Sequence, residues 1–394
     1  MTAELNEHTV APPALQPLAH AQPRTLAELG NLMVRRGAYV DALEAYRSAA
    51  ESDPNDAPAH WMCGEIAHVL GDVETSITFR ARALALQRVY ADPLPVGTRT
   101  PVLLLLRDLP YSVNTPLELI LDRRRLAVHK YYLEGDAVPP LPPYAAAFTA
   151  FGSARGAPRV LERASAFSPI NDPLRLQGTS RENLAGTLAG IDGVEAPAAR
   201  VLDSASARAL TEPVLVRPID THAGEGLAYT TDRNSLATHL ARHPSDRYHV
   251  APFTEYRSAD GYYRKFRVIF VDGAAYPYHL AIAPQWMVHY QTAPMESDPA
   301  LRAQEAAFLG APRSFVPHWD EAMPQIARAI GLDYFGIDAA MLADGRLFVF
   351  EADAALLVHD EDSGGVFAYK RPYVARIREA LHELITRRTR REIP

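Results

Sequence analysis

The spacing of apolar residues changes along the chain, and each change predicts a different element. The run PVLLLLRDL at 101–109 is continuously apolar over the length of a strand and predicts a buried one. SVNTP then leads into an apolar stretch of helical character, and LAVHKYYL and YAAAFTAF predict further strands, making residues 100–178 a small α/β unit. Its first strand is not followed by a glycine-rich turn, which removes the dinucleotide-binding fingerprint. VPPLPPY at 138–144 is a loop. Within 171–197, Thr179 and Glu182 have capping-box spacing and predict a helix that stops at glycine. From 213 onward strands dominate, with Asp-Gly hairpin signals at 272–273 and 344–345. Residues 366–386 have the period of an amphipathic helix, and residues 1–22, rich in Pro and Ala without either period, predict a flexible tail.

A longer period runs through residues 23–92. Leu26, Leu29, Gly30, Met33, Gly37, Ala42, Tyr46, Ala49 and Pro54 recur in part 34 residues later as Gly64, Ala67, Gly71 and Ala83, with Arg80 and Arg88 in place of an aromatic and a proline. The pattern resembles a pair of tetratricopeptide helical hairpins, the second degenerate. Such units bury their apolar faces against neighbours and about three are needed for independent stability, so two copies must lean on the following domain or on a second subunit. Either a docking element or a groove for a peptide or protein partner fits this pattern, and a homodimer would complete the short array.

Composition narrows the function. At roughly 150 residues per domain, 394 residues make two to three domains, and no apolar run approaches the ~20 residues of a membrane helix. The N-terminal MTAELNEHTV has neither the basic nor the apolar region of a signal peptide, and the single cysteine, Cys63, forms no internal disulfide. A cytoplasmic protein without cysteine-cluster zinc is expected. The net charge of −7 argues against nucleic-acid binding. Only three of the 40 basic residues are lysine: Lys130, Lys265 and Lys370.

Three segments carry chemistry. In FGIDAAMLADGRLFVFEADAAL (335–356), pairing Leu342 with Leu347 around the Ala-Asp-Gly-Arg turn sets Asp338 opposite Glu351, and alternation adds Asp353 to that face. Phe335, Ile337, Phe348 and Phe350 then fall on the other face, and no basic residue within the hairpin neutralises the acids. Carboxylates so grouped repel unless a cation lies between them, and oxygen ligands suit Mg²⁺ or Mn²⁺; the alternative is a solvated edge. In EPVLVRPIDTHAGEGLAYT (212–230), a strand bearing Arg217 precedes a loop with Gly224 and Gly226, which lets backbone N–H groups approach a polyphosphate; the alternative is an ordinary turn. In 260–290, alternation puts Lys265 and Arg267 on one face, and the Asp272-Gly273 turn sets Arg267 opposite Tyr278. That cationic face wants an anion, unless its side chains snorkel from a solvated sheet. His279, Trp286 and His289 follow, as substrate contacts or as structural residues.

From about residue 100 to the end, GIDAAML with FEAD and LVRPIDTHAGEGL resemble the ATP-grasp enzymes. The fold class this implies is an α/β (α+β) ATP-grasp fold over 179–394, preceded by a pre-ATP-grasp α/β domain over 100–178 and the all-α helical pair. The resemblance makes Asp338, Glu351 and Asp353 ligands of Mg²⁺ (or Mn²⁺), with Asp353 where the family usually has asparagine. Arg217 and Arg181 stand for nucleotide-facing lysines, and the loop with Gly224 and Gly226 covers the phosphates. Ala251 and Phe253 would hold adenine, with Glu255 on the ribose. Arg267 would face the transferred phosphate, with Lys265 and His279 beside it. The implied activity is a carboxylate–amine ligase: ATP activates a carboxylate as an acyl phosphate, which an amine then attacks. A peptide or protein substrate on the helical repeats is the expected partner. The alternative is a non-catalytic nucleotide-binding scaffold.

Overall fold

The computed structural model describes residues 25–109, 113–152, 157–219, 221, 224–356, 358–359 and 365–391. The tail expected over 1–22 lies outside them. The chain opens with α1 (Leu26–Arg35), α2 (Tyr39–Ser52), α3 (Ala57–Val69) and α4 (Val73–Leu86). Thr25 caps α1 through a reciprocal bond with Glu28, and Asp56 and Asp72 cap α3 and α4. The 34-residue period has a physical counterpart. A Cβ on Gly30 would lie 2.7 Å from the Tyr46 ring, and one on Gly64 2.6 Å from Arg80, so each glycine admits the large side chain sixteen residues on. Arg80, buried where Tyr46 sits in the first copy, reaches Asp108 at 3.3 Å. Trp61 packs on Tyr132 at 4.6 Å, and Leu84 joins the core of the following unit. Of the two supports expected for the helices, the following domain is one they use.

That unit contains β1 (Val89–Tyr90), β2 (Thr100–Leu106), β3 (Leu126–Tyr132) and β4 (Ala146–Thr149), in the order β1-β3-β2-β4, with β2 parallel to both neighbours. The helix expected after SVNTP is a single 3-10 turn, Leu117–Leu119, because the chain reverses at Asp122, whose carbonyl accepts the Arg125 and Leu126 N–H groups. Next come α5 (Pro158–Ser165) and α6 (Arg181–Thr187). The predicted capping box fails. A 3-10 helix, Pro173–Thr179, engages the Thr179 hydroxyl on Leu176 O, and Ser180 takes the N-cap position without a side-chain bond.

After β5 (Val194–Glu195) come β6 (Arg200–Asp203), α7 (Ser204–Arg208), β7 (Val214–Pro218), β8 (Ala228–Thr230), α8 (Arg233–Arg242) and β9 (Arg247–Ala251). The antiparallel sheet β6-β9-β7-β8 packs Val216, Tyr248 and Val250 against Leu236 and Leu240 of α8. The remainder holds β10 (Tyr263–Val271), β11 (Ala274–Ala283), α9 (Pro299–Gly310), α10 (Trp319–Ile330), β12 (Tyr334–Met341), β13 (Leu347–Asp353) and α11 (Arg371–Arg391). The strand-rich expectation from 213 therefore misses α8, α9 and α10, each capped or amphipathic between strands. The large sheet runs β11-β10-β12-β13-β5. α11 buries Val374, Ile377, Leu381 and Ile385 in a core shared by Ile269 and Val271 of β10 and Val102 and Leu104 of β2, which ties the first α/β unit to the large sheet.

Candidate functional site

Both hairpins of the large sheet contain a bulge, and both bulges lie at the level of the charged residues. In the first, Val271 pairs with Ala274 as the two-residue turn requires, with Asp272 and Gly273 at φ +51° and +80°. Between Arg267 and Val268 the register shifts by one, so that Arg267 faces His279 and not Tyr278. In the second, the turn pairs Leu347 with Met341 rather than Leu342, and a shift between Asp338 and Ala339 then restores the Asp338–Glu351 partnership. Phe350 is the extra residue. Phe348 pairs with Ala340 and so lies on the side of the ribbon that carries Asp338, contrary to the alternation. Bulges re-aim side chains in this way beside functional sites.

β10 lies next to β12, with Arg267 directly opposite Asp338. The guanidinium donates two bonds, Nε to Oδ1 at 2.7 Å and Nη2 to Oδ2 at 3.0 Å, and Lys265 Nζ reaches Oδ2 at 2.9 Å. Burial would raise the Asp338 carboxyl, but Arg267 and then Lys265 hold it well below the usual carboxylate range. The cations expected to be missing from the acidic face come from this neighbouring strand. Asp338 is thereby a counter-ion, and among the described residues no three of His, Cys, Asp and Glu form a group able to hold a metal ion.

Glu351 and Asp353 differ from it. Arg181, at the first position of α6, donates to Glu351 Oε2 at 3.3 Å. Burial pushes Glu351 up, yet Arg181, followed by Arg217 and Lys265, keeps it below its ordinary value. Asp353 accepts a bond from Ala355 N at 2.8 Å, and a Cβ on Gly152 would collide with its carboxylate. Burial, and after it the negative charge of Glu351, raise its pKa to about 6. Two carboxylates held near each other at this cost are oxygen donors of the kind a hard divalent cation takes, so Glu351 and Asp353 fit such an ion.

Arg217 on β7 is buried, and burial together with the Arg181 charge lowers its pKa to about 10. It bonds Thr221 at both Oγ1 and the carbonyl, bracing the turn into the glycine loop. Gly224 and Gly226 have φ +82° and +59°, so both require glycine. A Cβ on Gly224 would lie 2.5 Å from His289 Nε2, and the Gly226 carbonyl bonds His239 Nε2 at 2.9 Å. Ala251 ends β9 as a register partner of Leu215. Phe253 stacks on Tyr229 at 4.4 Å and meets Trp286 edge-on at 5.7 Å, closing an aromatic seam between the small and large sheets. Glu255 faces outward, accepting from Arg257 N and Tyr263 Oη.

His279 is buried, with neither ring nitrogen bonded among the described residues, and burial followed by Arg267 and Lys370 drives its pKa well below the ordinary value. It is therefore neutral. Asp338, Glu351, Arg267, Lys265, Arg181, Arg217 and His279 are thus tied together by hydrogen bonds, ion pairs, register or mutual charge, whereas Ala251 ends β9 of the small sheet and Phe253 and Glu255 follow it toward the large one. Sequence reasoning missed Lys370, Tyr290 and Glu305, which pack behind His279; the scarcity of lysine was the available signal. It also missed Gly152, whose close approach to Asp353 left no local trace.

No family model matches the chain, and no curated protein does. Among solved structures it is similar to D-alanyl-alanine synthetase A from Vibrio cholerae, at 11% identity over 74% of this chain and 99% of that one, TM-score 0.47. It is also similar to a RimK domain ATP-grasp protein from Sphaerobacter thermophilus, at 15% identity over 73% and 100%, TM-score 0.44. A third is the D-alanine–D-alanine ligase from Bacillus anthracis complexed with ATP, at 12% identity over 74% and 99%, TM-score 0.42. Similarity of this degree assigns no activity or residue role to this chain, whose chemistry rests on its own site.

Proposed function

We propose that this protein is an ATP-dependent ligase of the ATP-grasp type, which activates a carboxylate as an acyl phosphate and joins it to an amine. The observation that carries this reading is the charge arrangement: Asp338 and Glu351 are cross-strand partners, and four cations surround them, Lys265 and Arg267 on one side and Arg181 and Arg217 on the other. So much positive charge around paired acids suits a polyphosphate. A substrate carboxylate oxygen attacks the γ-phosphorus of ATP, the bond to the β-phosphate oxygen breaks, and ADP departs. The amine nitrogen then attacks the acyl carbon, inorganic phosphate leaves, and the nitrogen gives up a proton to form the amide.

Arg267 and Lys265, already oriented by Asp338, offset the charge on the transferred phosphoryl group, so little reorganisation is needed during reaction. Arg181, Arg217 and the N–H groups of the Gly224 to Gly226 loop hold the remaining phosphates, and the loop excludes water that would hydrolyse the acyl phosphate. Ala251, Phe253 and Glu255 take the base and ribose. His279, being neutral, offers a hydrogen bond beside Arg267. Glu351 and Asp353 would hold Mg²⁺ or Mn²⁺, which neutralises phosphate charge when bound. The helices α1 to α4 would present a peptide or protein substrate.

Calorimetry with a non-hydrolysable ATP analogue, with and without Mg²⁺, tests the nucleotide site, and ADP release with pooled carboxylates and amines tests the reaction. Glu351→Ala should lose Mg²⁺-dependent ADP release by at least ~100-fold. Binding without any turnover would favour the scaffold, and no binding would refute the nucleotide site. Faster ADP release with peptides than with free amino acids would support the role of the helices.

A further inference from the structure

Lys370, Glu305 and Tyr290 have no part in the reaction as proposed, yet they form a buried polar cluster directly behind it. Glu305 is fully buried and accepts three bonds, from Leu280 N at 3.1 Å, Tyr290 Oη at 2.9 Å and Tyr369 Oη at 2.5 Å. Lys370, 5% exposed, donates to Tyr290 Oη at 3.3 Å, and its ammonium lies 4.3 Å from the centre of the Tyr290 ring and 4.9 Å from that of Tyr278. The Tyr290 hydroxyl is held from both sides, accepting from Lys370 and donating to Glu305. Its ring stacks on His279 at 4.5 Å with planes only 6° apart.

Since neither nitrogen of His279 has a partner among the described residues, hydrogen bonds do not set the angle of the imidazole; its stacks do, nearly parallel on Tyr290 at 4.5 Å and more tilted on its neighbour Tyr278 at 5.2 Å. His279 is in turn the cross-strand partner of Arg267. In a chain that uses lysine three times in 40 basic residues, a compact ammonium among the rings of Tyr278, Tyr290 and Phe367 is a position where the planar guanidinium is a poor substitute.

We propose that Lys370 and Glu305 are positioning residues: they hold the Tyr290 ring, and through it fix His279 in the orientation with which it meets substrate beside Arg267. This rests on the ligase reading. Lys370 comes from the 3-10 turn Ala368–Lys370 that leads into α11, and Glu305 from α9, so two elements outside the acidic hairpin contribute to its chemistry.

The test is steady-state ADP release by the full-length protein with Lys370→Met, Glu305→Gln and Tyr290→Phe, the last keeping the ring and removing only its tether. Each should lower kcat at least ~10-fold while KM for ATP and calorimetric affinity for the ATP analogue stay within about twofold. Combined with His279→Ala, Lys370→Met should cost nothing further, because its effect runs through the imidazole. Wild-type kcat in Tyr290→Phe, a loss confined to KM, or a full additional loss in the His279→Ala background would each overturn the proposal while leaving the ligase reading intact. If Lys370→Met does not fold, Tyr290→Phe decides alone. Wild-type protein that releases no ADP with any carboxylate–amine pair would overturn the ligase reading and this proposal together.

Discussion

Replacing Asp353 by Asn should stabilise the protein at neutral pH and not in acid. The amide keeps the oxygen that accepts the Ala355 N–H and removes the charge that Glu351 repels. The folded-state pKa of about 6 against 3.8 is roughly two units, and at 1.36 kcal/mol per unit the ionised form costs the folded state about 3 kcal/mol once pH is well above 6. Partial exposure of the residue discounts this to about 1–3 kcal/mol. The sign follows from a raised pKa: the protonated carboxyl carries no penalty below the unfolded value, and the penalty grows as pH rises through the folded one. Urea denaturation at pH 7.5 and pH 4 would read the difference between variant and wild type. A gain of about 1–3 kcal/mol at pH 7.5 that falls below about 1 kcal/mol at pH 4 is expected. No gain at pH 7.5, or an equal gain at both, would refute the electrostatic reasoning, and with it the case that Glu351 and Asp353 are a strained pair suited to a cation.

Asp338→Asn should act in the opposite direction, destabilising by about 3–5 kcal/mol at pH 7, because it leaves Arg267 and Lys265 buried without a counter-charge. The depressed folded pKa means that this contribution is present above the unfolded carboxylate value and lost as pH falls below it toward the folded one, which the same denaturation measured at pH 7.5 and about pH 2 would detect. Gly224→Ala forces a side chain into φ +82° and against His289 at about 1–2 kcal/mol, so affinity for the ATP analogue should fall about tenfold by calorimetry while thermal stability of the large sheet is retained.

Much of the site could be read locally. Alternation placed Asp338, Glu351 and Asp353 on one face and Lys265 with Arg267 on another, and Asp-Gly marked both turns; these follow from the two-residue period of a strand and the φ > 0 that each turn demands. The helices of residues 26–86 were legible because a 34-residue recurrence reflects a recurring contact, Gly30 on Tyr46 and Gly64 on Arg80. What failed did so where a residue had competing partners. Thr179 had a helix to cap but bonded Leu176 O within a 3-10 turn, and the apolar residues after SVNTP were needed as a buried turn rather than a helix.

By itself, then, the sequence determined the strands, the position of the Asp-Gly turns and the shared face of Asp338, Glu351 and Asp353, because those properties depend on a few neighbouring residues, whereas the pairing across the second turn and the side taken by Phe348 were not local. Only the tertiary structure decided which charges meet. Arg267 and Asp338 are 71 residues apart and become partners because β10 pairs with β12, while one extra residue in the first hairpin brings His279, and not Tyr278, beside Arg267, and one in the second sets Glu351 opposite Asp338. Strand adjacency and bulges are settled by how the sheet packs as a whole, with α11 and the first α/β unit against it, and no local period encodes them.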